Sequence, residues 1–177
     1  MPLDLTYGVF AGLVGASLLF LPPTEPMRAG DPPRGAVAFS LGPEVDARGG
    51  RRLSQNFATL EYLPESRAPF GTRPVYAAAL SSDGAGFVSA GLRHDYRLGP
   101  LQVTPHFSVA AWHSGQHGFE TRELLQFRTG LDLYLSVTEN TAVGLGFYHL
   151  SNGQLTRSIT PFSADVDVVR IGLLHRF

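Results

Sequence analysis

The chain has 177 residues, a formal net charge of −1 at pH 7 and no cysteine. This length suits one domain, and a composition that is 44% hydrophobic and 11% aromatic is too apolar for a disordered chain. The near-neutral charge provides no basic block for nucleic-acid binding, and the missing cysteines exclude disulfides and thiolate metal sites.

The first element of the chain is an apolar stretch, YGVFAGLVGASLLFLPP, from Tyr7 to Pro23. Its apolar core is shorter than the about 20 residues that a membrane-spanning helix needs, so its length favours a secretory signal peptide. The preceding MPLDLT carries Asp4 and no arginine, which is atypical of a signal, so a retained strand or anchor stays open. We predict a signal or N-terminal segment at residues 1–29 and one folded domain at 30–177.

From Arg34 onward the hydrophobic pattern has the period of a β-strand. Apolar and polar residues alternate in eight segments, at about residues 35–43, 54–64, 73–82, 85–97, 101–113, 122–137, 141–151 and 166–177. Most segments approach the ~9–11 residues of a tilted transmembrane strand. Bacterial single-chain barrels have an even number of strands, which fits this pattern.

The two faces of the segments distinguish a soluble from a membrane β protein. In segment 122–137 one face carries Leu125, Phe127, Leu131, Leu133, Leu135 and Val137. The opposite face mixes Gln, Arg, Gly, Asp, Tyr and Ser, which suits a small barrel interior where charges pair and glycines make room for bulky neighbours. A soluble sandwich or lipocalin-like barrel would have a charged, wet outer face instead. We predict an all-β fold, an eight-stranded antiparallel transmembrane β-barrel, closed because unpaired edges are costly in lipid.

The C-terminus points to a location. The chain ends in GLLHRF, with Phe177 on the apolar face of the last segment. This resembles the C-terminal phenylalanine of bacterial outer-membrane barrels, which their assembly machinery recognises. The predicted location is the bacterial outer membrane.

Three side chains near the ends of the last two segments have the chemistry of acyl transfer. His149 and Ser151 continue the apolar, outward face of segment 141–151, and Asp167 has outward parity in the next, antiparallel segment. A histidine can take the serine proton while a carboxylate holds the imidazole, and Asn152 with a glycine N–H could stabilise the oxyanion. Polar strand ends and Asn-Gly turns are also ordinary features of a barrel rim, so both interpretations stay open.

The stretch LLQFRTGLDLYLSVTENTAVGLGFYHLSNGQL, residues 124–155, resembles the PagL-type lipid A 3-O-deacylases of Gram-negative outer membranes. That family has a His-x-Ser-Asn signature near the end of the penultimate strand and an acidic residue on the last strand. The resemblance implies hydrolysis of the acyl chain that is ester-linked at the 3-position of lipid A. It implies Ser151 as nucleophile, His149 as general base and an oxyanion hole at Asn152 and Gly153.

The acidic residue is where this chain departs from the family. The family usually has a glutamate about a dozen residues after the serine, where this chain has Ser163. We assign the role to Asp167, which lies more securely within the last strand, with Asp165 as the alternative acid. No cofactor and no metal is expected.

The expected partners are lipid A, within lipopolysaccharide, and the outer membrane, with a homodimer left open and no nucleic acid. The alternative function is a non-enzymatic small outer-membrane barrel with a structural or adhesive role. Its contact surface would be the loop WHSGQHGFETRE, residues 112–123.

Overall fold

The structure is a computed structural model that describes residues 34–45, 55–115, 124–151 and 166–177. The predicted segment at 1–29 lies outside these residues. The strands are β1 Ala36–Val45, β2 Asn56–Leu63, β3 Arg73–Ser81, β4 Gly86–Arg93, β5 Tyr96–Leu98, β6 Leu101–His113, β7 Leu125–Ser136, β8 Thr141–Ser151 and β9 Val166–Arg176, with a short 3-10 helix at Pro69–Gly71. Neighbouring strands pair antiparallel, and β1 pairs with β9, which closes the sheet into a barrel. No helix among the described residues is long and apolar enough to cross a membrane.

The short strands β4 and β5 form a single strand of the wall. Both pair with β6 in one register, and the pairing lapses at His94 and Asp95. The His94 N–H donates to the carbonyl of Pro105 at 3.1 Å, but proline has no N–H to return the bond. The predicted eight-stranded antiparallel barrel is therefore confirmed, with segment 85–97 interrupted by a proline on its neighbour.

The two ends of the barrel differ in the length of their connections. The first strand starts and the last strand finishes at the same end of the barrel, where Ala36 pairs with Arg176. The connections at that end are residues 64–72, 99–100 and 137–140. The connections at the opposite end are residues 46–55, 82–85, 114–124 and 152–165. Outer-membrane barrels have short periplasmic turns and longer extracellular loops. We therefore call the end with Ala36 and Arg176 the periplasmic end, and the end with the longer connections the outer end.

The outward face of the wall is apolar and exposed. Leu60, Leu80, Val88, Leu145 and Ile171 each expose between 54% and 64% of their surface. A continuous belt of such side chains is unfavourable in water and matches the hydrocarbon core of a bilayer. The predicted assignment of the apolar faces to the outside is confirmed.

The inward face carries a network of buried charges that crosses the barrel. The Arg170 guanidinium donates to Asp132 at 2.7 Å and to Glu61 at 2.9 Å, and Arg128 also donates to Glu61. These bonds connect β9 and β7 with β2 across the interior. The predicted pairing of charges inside the barrel is confirmed.

Glycines on the inward face make room for this network. A Cβ atom at Gly146 would lie 2.0 Å from Asp132 Oδ1, and one at Gly130 would lie 2.4 Å from His106 Nε2. Any larger residue would displace these side chains. The glycines of β7 and β8 thus allow large polar groups to fill a narrow interior, as the sequence predicts.

We expect Glu61→Gln to destabilise the barrel. The substitution leaves Arg128 and Arg170 with one compensating charge fewer in a buried site, and breaking such a pair typically costs about 3–5 kcal/mol. Urea titration of the folded barrel in detergent micelles measures the free energy of unfolding. Glu65→Gln is the control, because Glu65 is exposed at the periplasmic end and surface changes stay within about 0.5 kcal/mol. Equal stabilities of the two variants would contradict the assignment of Glu61 as a structural counter-ion.

Candidate functional site

The pairing of β8 with β9 brings His149 and Asp167 together. The two residues are direct partners in the antiparallel register, and His149 Nδ1 lies 2.7 Å from Asp167 Oδ1. A carboxylate can only accept a hydrogen bond, so this contact requires the proton on Nδ1. The predicted adjacency of these two side chains is observed, while their catalytic role stays a prediction.

His149 and Asp167 are on the outward face of the wall by residue alternation, but both side chains are buried. Along the same row of β8, Leu145 is 59% exposed, whereas His149 is only 7% exposed and Asp167 on β9 is 6% exposed. The sequence predicts that this row faces lipid along its whole length, whereas in the structure His149 and Asp167 are buried. A carboxylate facing hydrocarbon without a partner would be costly, and the hydrogen bond to His149 supplies the partner.

Ser151 is the last residue of β8 and is half-buried. It lies on the same face as His149, two residues along the strand, which corresponds to about 6–7 Å. Its partner on β7 is Phe127. Asn152 and Gly153, predicted for the oxyanion hole, and Asp165, the alternative acid, lie outside the described residues.

This arrangement can orient a general base. With Nδ1 held by Asp167, the basic nitrogen is Nε2, which lies on the side of the ring away from the carboxylate. A base fixed in this tautomer is the element that activates a serine hydroxyl in acyl transfer. Within the described ranges, no group of three His, Asp or Glu side chains is placed to bind a metal ion.

Thr129 is a polar neighbour that the sequence pattern does not single out. It is the direct partner of His149 on β7, so His149 lies between Thr129 on one neighbouring strand and Asp167 on the other. Thr129 is 6% exposed. The signal in the sequence is a polar residue within the apolar row of β7, but its position beside His149 depends on a cross-strand register that residue alternation does not fix.

The comparisons with known proteins concern the fold. No protein-family model and no curated protein sequence matches the chain. A de novo designed transmembrane β-barrel aligns with a TM-score of 0.58 at 12% identity, over 83% of this chain and 98% of its own. The outer membrane enzyme PagL aligns at 0.54 and 14% identity, over 80% and 99%. Neisserial surface protein A aligns at 0.50 and 12% identity, over 81% and 96%.

These similarities concern architecture, because the sequence identities are low. The structures include an enzyme, a surface protein and a designed barrel, so the fold by itself does not select a function. Together with the apolar belt around the wall, they identify this chain as an eight-stranded barrel of the bacterial outer-membrane type, in the location that the sequence predicts.

Proposed function

We propose that the chain is an outer-membrane serine ester hydrolase that removes the acyl chain ester-linked at the 3-position of lipid A. The observation that carries this proposal is the 2.7 Å contact between His149 Nδ1 and Asp167 Oδ1, with Ser151 on the same face of the strand. Ser151 is the nucleophile, His149 the general base and Asp167 the carboxylate that orients the imidazole. Asn152 and Gly153 are the proposed oxyanion donors.

The proposed reaction has two steps. His149 Nε2 takes the proton from Ser151 Oγ as the oxygen attacks the ester carbonyl carbon, and a tetrahedral oxyanion forms. The C–O bond to the sugar breaks, and the imidazolium returns its proton to the 3-oxygen. Water then attacks the acyl-serine, with His149 again accepting the proton, and the fatty acid leaves as Ser151 Oγ regains a proton.

The position of the candidate residues supports lipid A as substrate. They lie toward the outer end of β8 and β9 and have outward parity. Lipid A occupies the outer leaflet, and its ester carbonyls lie near the boundary between headgroups and hydrocarbon. A site on the outer wall at this height can reach an ester that stays in the membrane. The structural similarity to the outer membrane enzyme PagL is consistent with this proposal.

Mass spectrometry of lipid A tests the substrate directly. Lipid A from cells that express the chain should lack one 3-hydroxy acyl chain that is present in cells without it. An unchanged acylation pattern would contradict the proposed substrate and favour the structural or adhesive barrel. The loop proposed for that function, residues 112–123, lies mostly outside the described residues.

A covalent probe tests the nucleophile independently of lipid A. A fluorophosphonate phosphonylates an activated serine as the P–F bond breaks and fluoride leaves, so we expect the folded barrel in detergent to be labelled at Ser151. Ser151→Ala should abolish the label, read by fluorescence on a gel and by peptide mapping. Ser136→Ala is the matched control, because Ser136 ends β7 as Ser151 ends β8, and it should keep the label. Labelling that persists in Ser151→Ala would contradict the assignment.

A further inference from the structure

A polar row crosses three adjacent strands on the outer wall. Asp167 on β9 pairs with His149 on β8, and His149 pairs with Thr129 on β7. The next partners in the row are apolar, Val45 on β1 and Phe107 on β6. Thr129 therefore completes a small polar island in a surface that otherwise faces hydrocarbon.

Thr129 is an exception within its own strand. The outward row of β7 consists of Leu125, Phe127, Thr129, Leu131, Leu133 and Leu135. Thr129 is buried like His149, whereas Leu125, Leu133 and Leu135 are exposed. Polar groups on the lipid-facing side of a membrane protein are costly and usually have a function, and here the polar residue lies beside the proposed base.

The strand pairing places Thr129 near the proposed reacting atoms. His149 contacts Asp167 on β9 through Nδ1, and Thr129 is its direct partner on the other neighbouring strand, β7. Ser151 pairs with Phe127, so Thr129 is the diagonal neighbour of Ser151 across the same two strands. Diagonal neighbours are about 7–8 Å apart at Cα. A separation of this order would allow the Thr129 hydroxyl to reach the carbonyl oxygen of an ester that Ser151 Oγ attacks.

We propose that Thr129 is a further catalytic residue, whose hydroxyl donates a hydrogen bond to the carbonyl oxygen of the scissile ester. This oxygen gains negative charge when Ser151 attacks, so the bond strengthens in the transition state. Thr129 transfers no proton, since the proton of Ser151 passes to His149. The inference rests on the proposed function and adds to the site a donor that comes from β7.

The test compares variants that keep or remove the hydroxyl. Thr129→Val preserves the shape and removes the donor, and we expect kcat for acyl release from lipid A to fall about 10²-fold with a small change in KM. Thr129→Ser keeps the donor and should retain most of the activity. Thr141→Val is the matched control, because Thr141 begins the same strand as His149 at the periplasmic end, and it should behave as wild type. Thr129→Ala serves as the second donor-free variant should the valine variant not fold.

The outcomes separate this inference from the proposed function. Full activity of the donor-free variants, with Ser151→Ala inactive, would overturn the role of Thr129 and leave the proposed function intact. An equal loss in Thr129→Ser and Thr129→Val would also overturn it, because the hydroxyl would not be the cause. A wild-type barrel that releases no acyl chain and takes up no fluorophosphonate would overturn both.

Discussion

Ser151→Ala is expected to abolish the release of 3-hydroxy fatty acid from lipid A while the barrel still folds. Alanine removes the attacking oxygen, and loss of the nucleophile in a serine hydrolase lowers kcat by on the order of 10⁶. Ser151 lies at the end of β8 and is half-buried, so the substitution leaves the strand pairing intact. The measurement is the rate of fatty-acid release by purified protein in mixed micelles, with folding checked by the heat-dependent mobility that folded barrels show on gels.

His149→Asn provides the second half of this test. Asparagine can keep a hydrogen bond to Asp167 but cannot act as a base near neutral pH, so release should again fall to background. Ser136→Ala, at the end of β7, should retain wild-type activity. Substantial activity in a folded Ser151→Ala or His149→Asn protein would exclude the proposed serine hydrolase.

Asp167→Asn is expected to lower kcat by on the order of 10⁴ without unfolding the barrel. The carboxylate accepts the Nδ1 proton of His149 at 2.7 Å, and an amide can instead donate to Nδ1, which stabilises the wrong tautomer of the imidazole. The basic nitrogen would then face the introduced amide and no longer face Ser151. The readout is kcat for acyl release, and Asp167→Glu, which keeps the charge, should retain more activity than Asp167→Asn.

Asp165→Asn is the matched control for this assignment. Asp165 is the alternative acid and lies outside the described residues, so the two variants compare the two candidate carboxylates. We expect Asp165→Asn to keep activity within a few-fold of wild type. The opposite result, an inactive Asp165→Asn and an active Asp167→Asn, would reassign the acid to Asp165.

The fold could be predicted from the sequence because each wall strand has one lipid-facing and one inward-facing row. That alternation fixes the face of residues such as Leu145 and Arg170 without knowledge of their neighbours. The interruption between β4 and β5 could not be predicted in the same way. It depends on Pro105 lying opposite His94, and an alternating pattern does not say which residues of two strands are opposite.

The candidate site was predictable to the same extent. Outward parity and the antiparallel order of β8 and β9 are enough to place His149 near Asp167, and the structure pairs them directly. Thr129 is 20 positions before His149 in the sequence, and only the register of β7 against β8 makes them neighbours. The burial of His149 and Asp167 also depends on three-dimensional packing, which parity does not describe.

The buried charges inside the barrel determine how water can reach the proposed site. Arg170, Glu61, Asp132 and Arg128 form direct bonds from one side of the interior to the other, so these side chains fill the cross-section of the barrel at their level. The second step of the proposed reaction consumes one water molecule for each acyl chain. Since Ser151 ends β8 at the outer end and has outward parity, we expect this water to arrive along the outer surface from the extracellular rim, so hydration of the headgroup layer should limit the turnover of the acyl-enzyme.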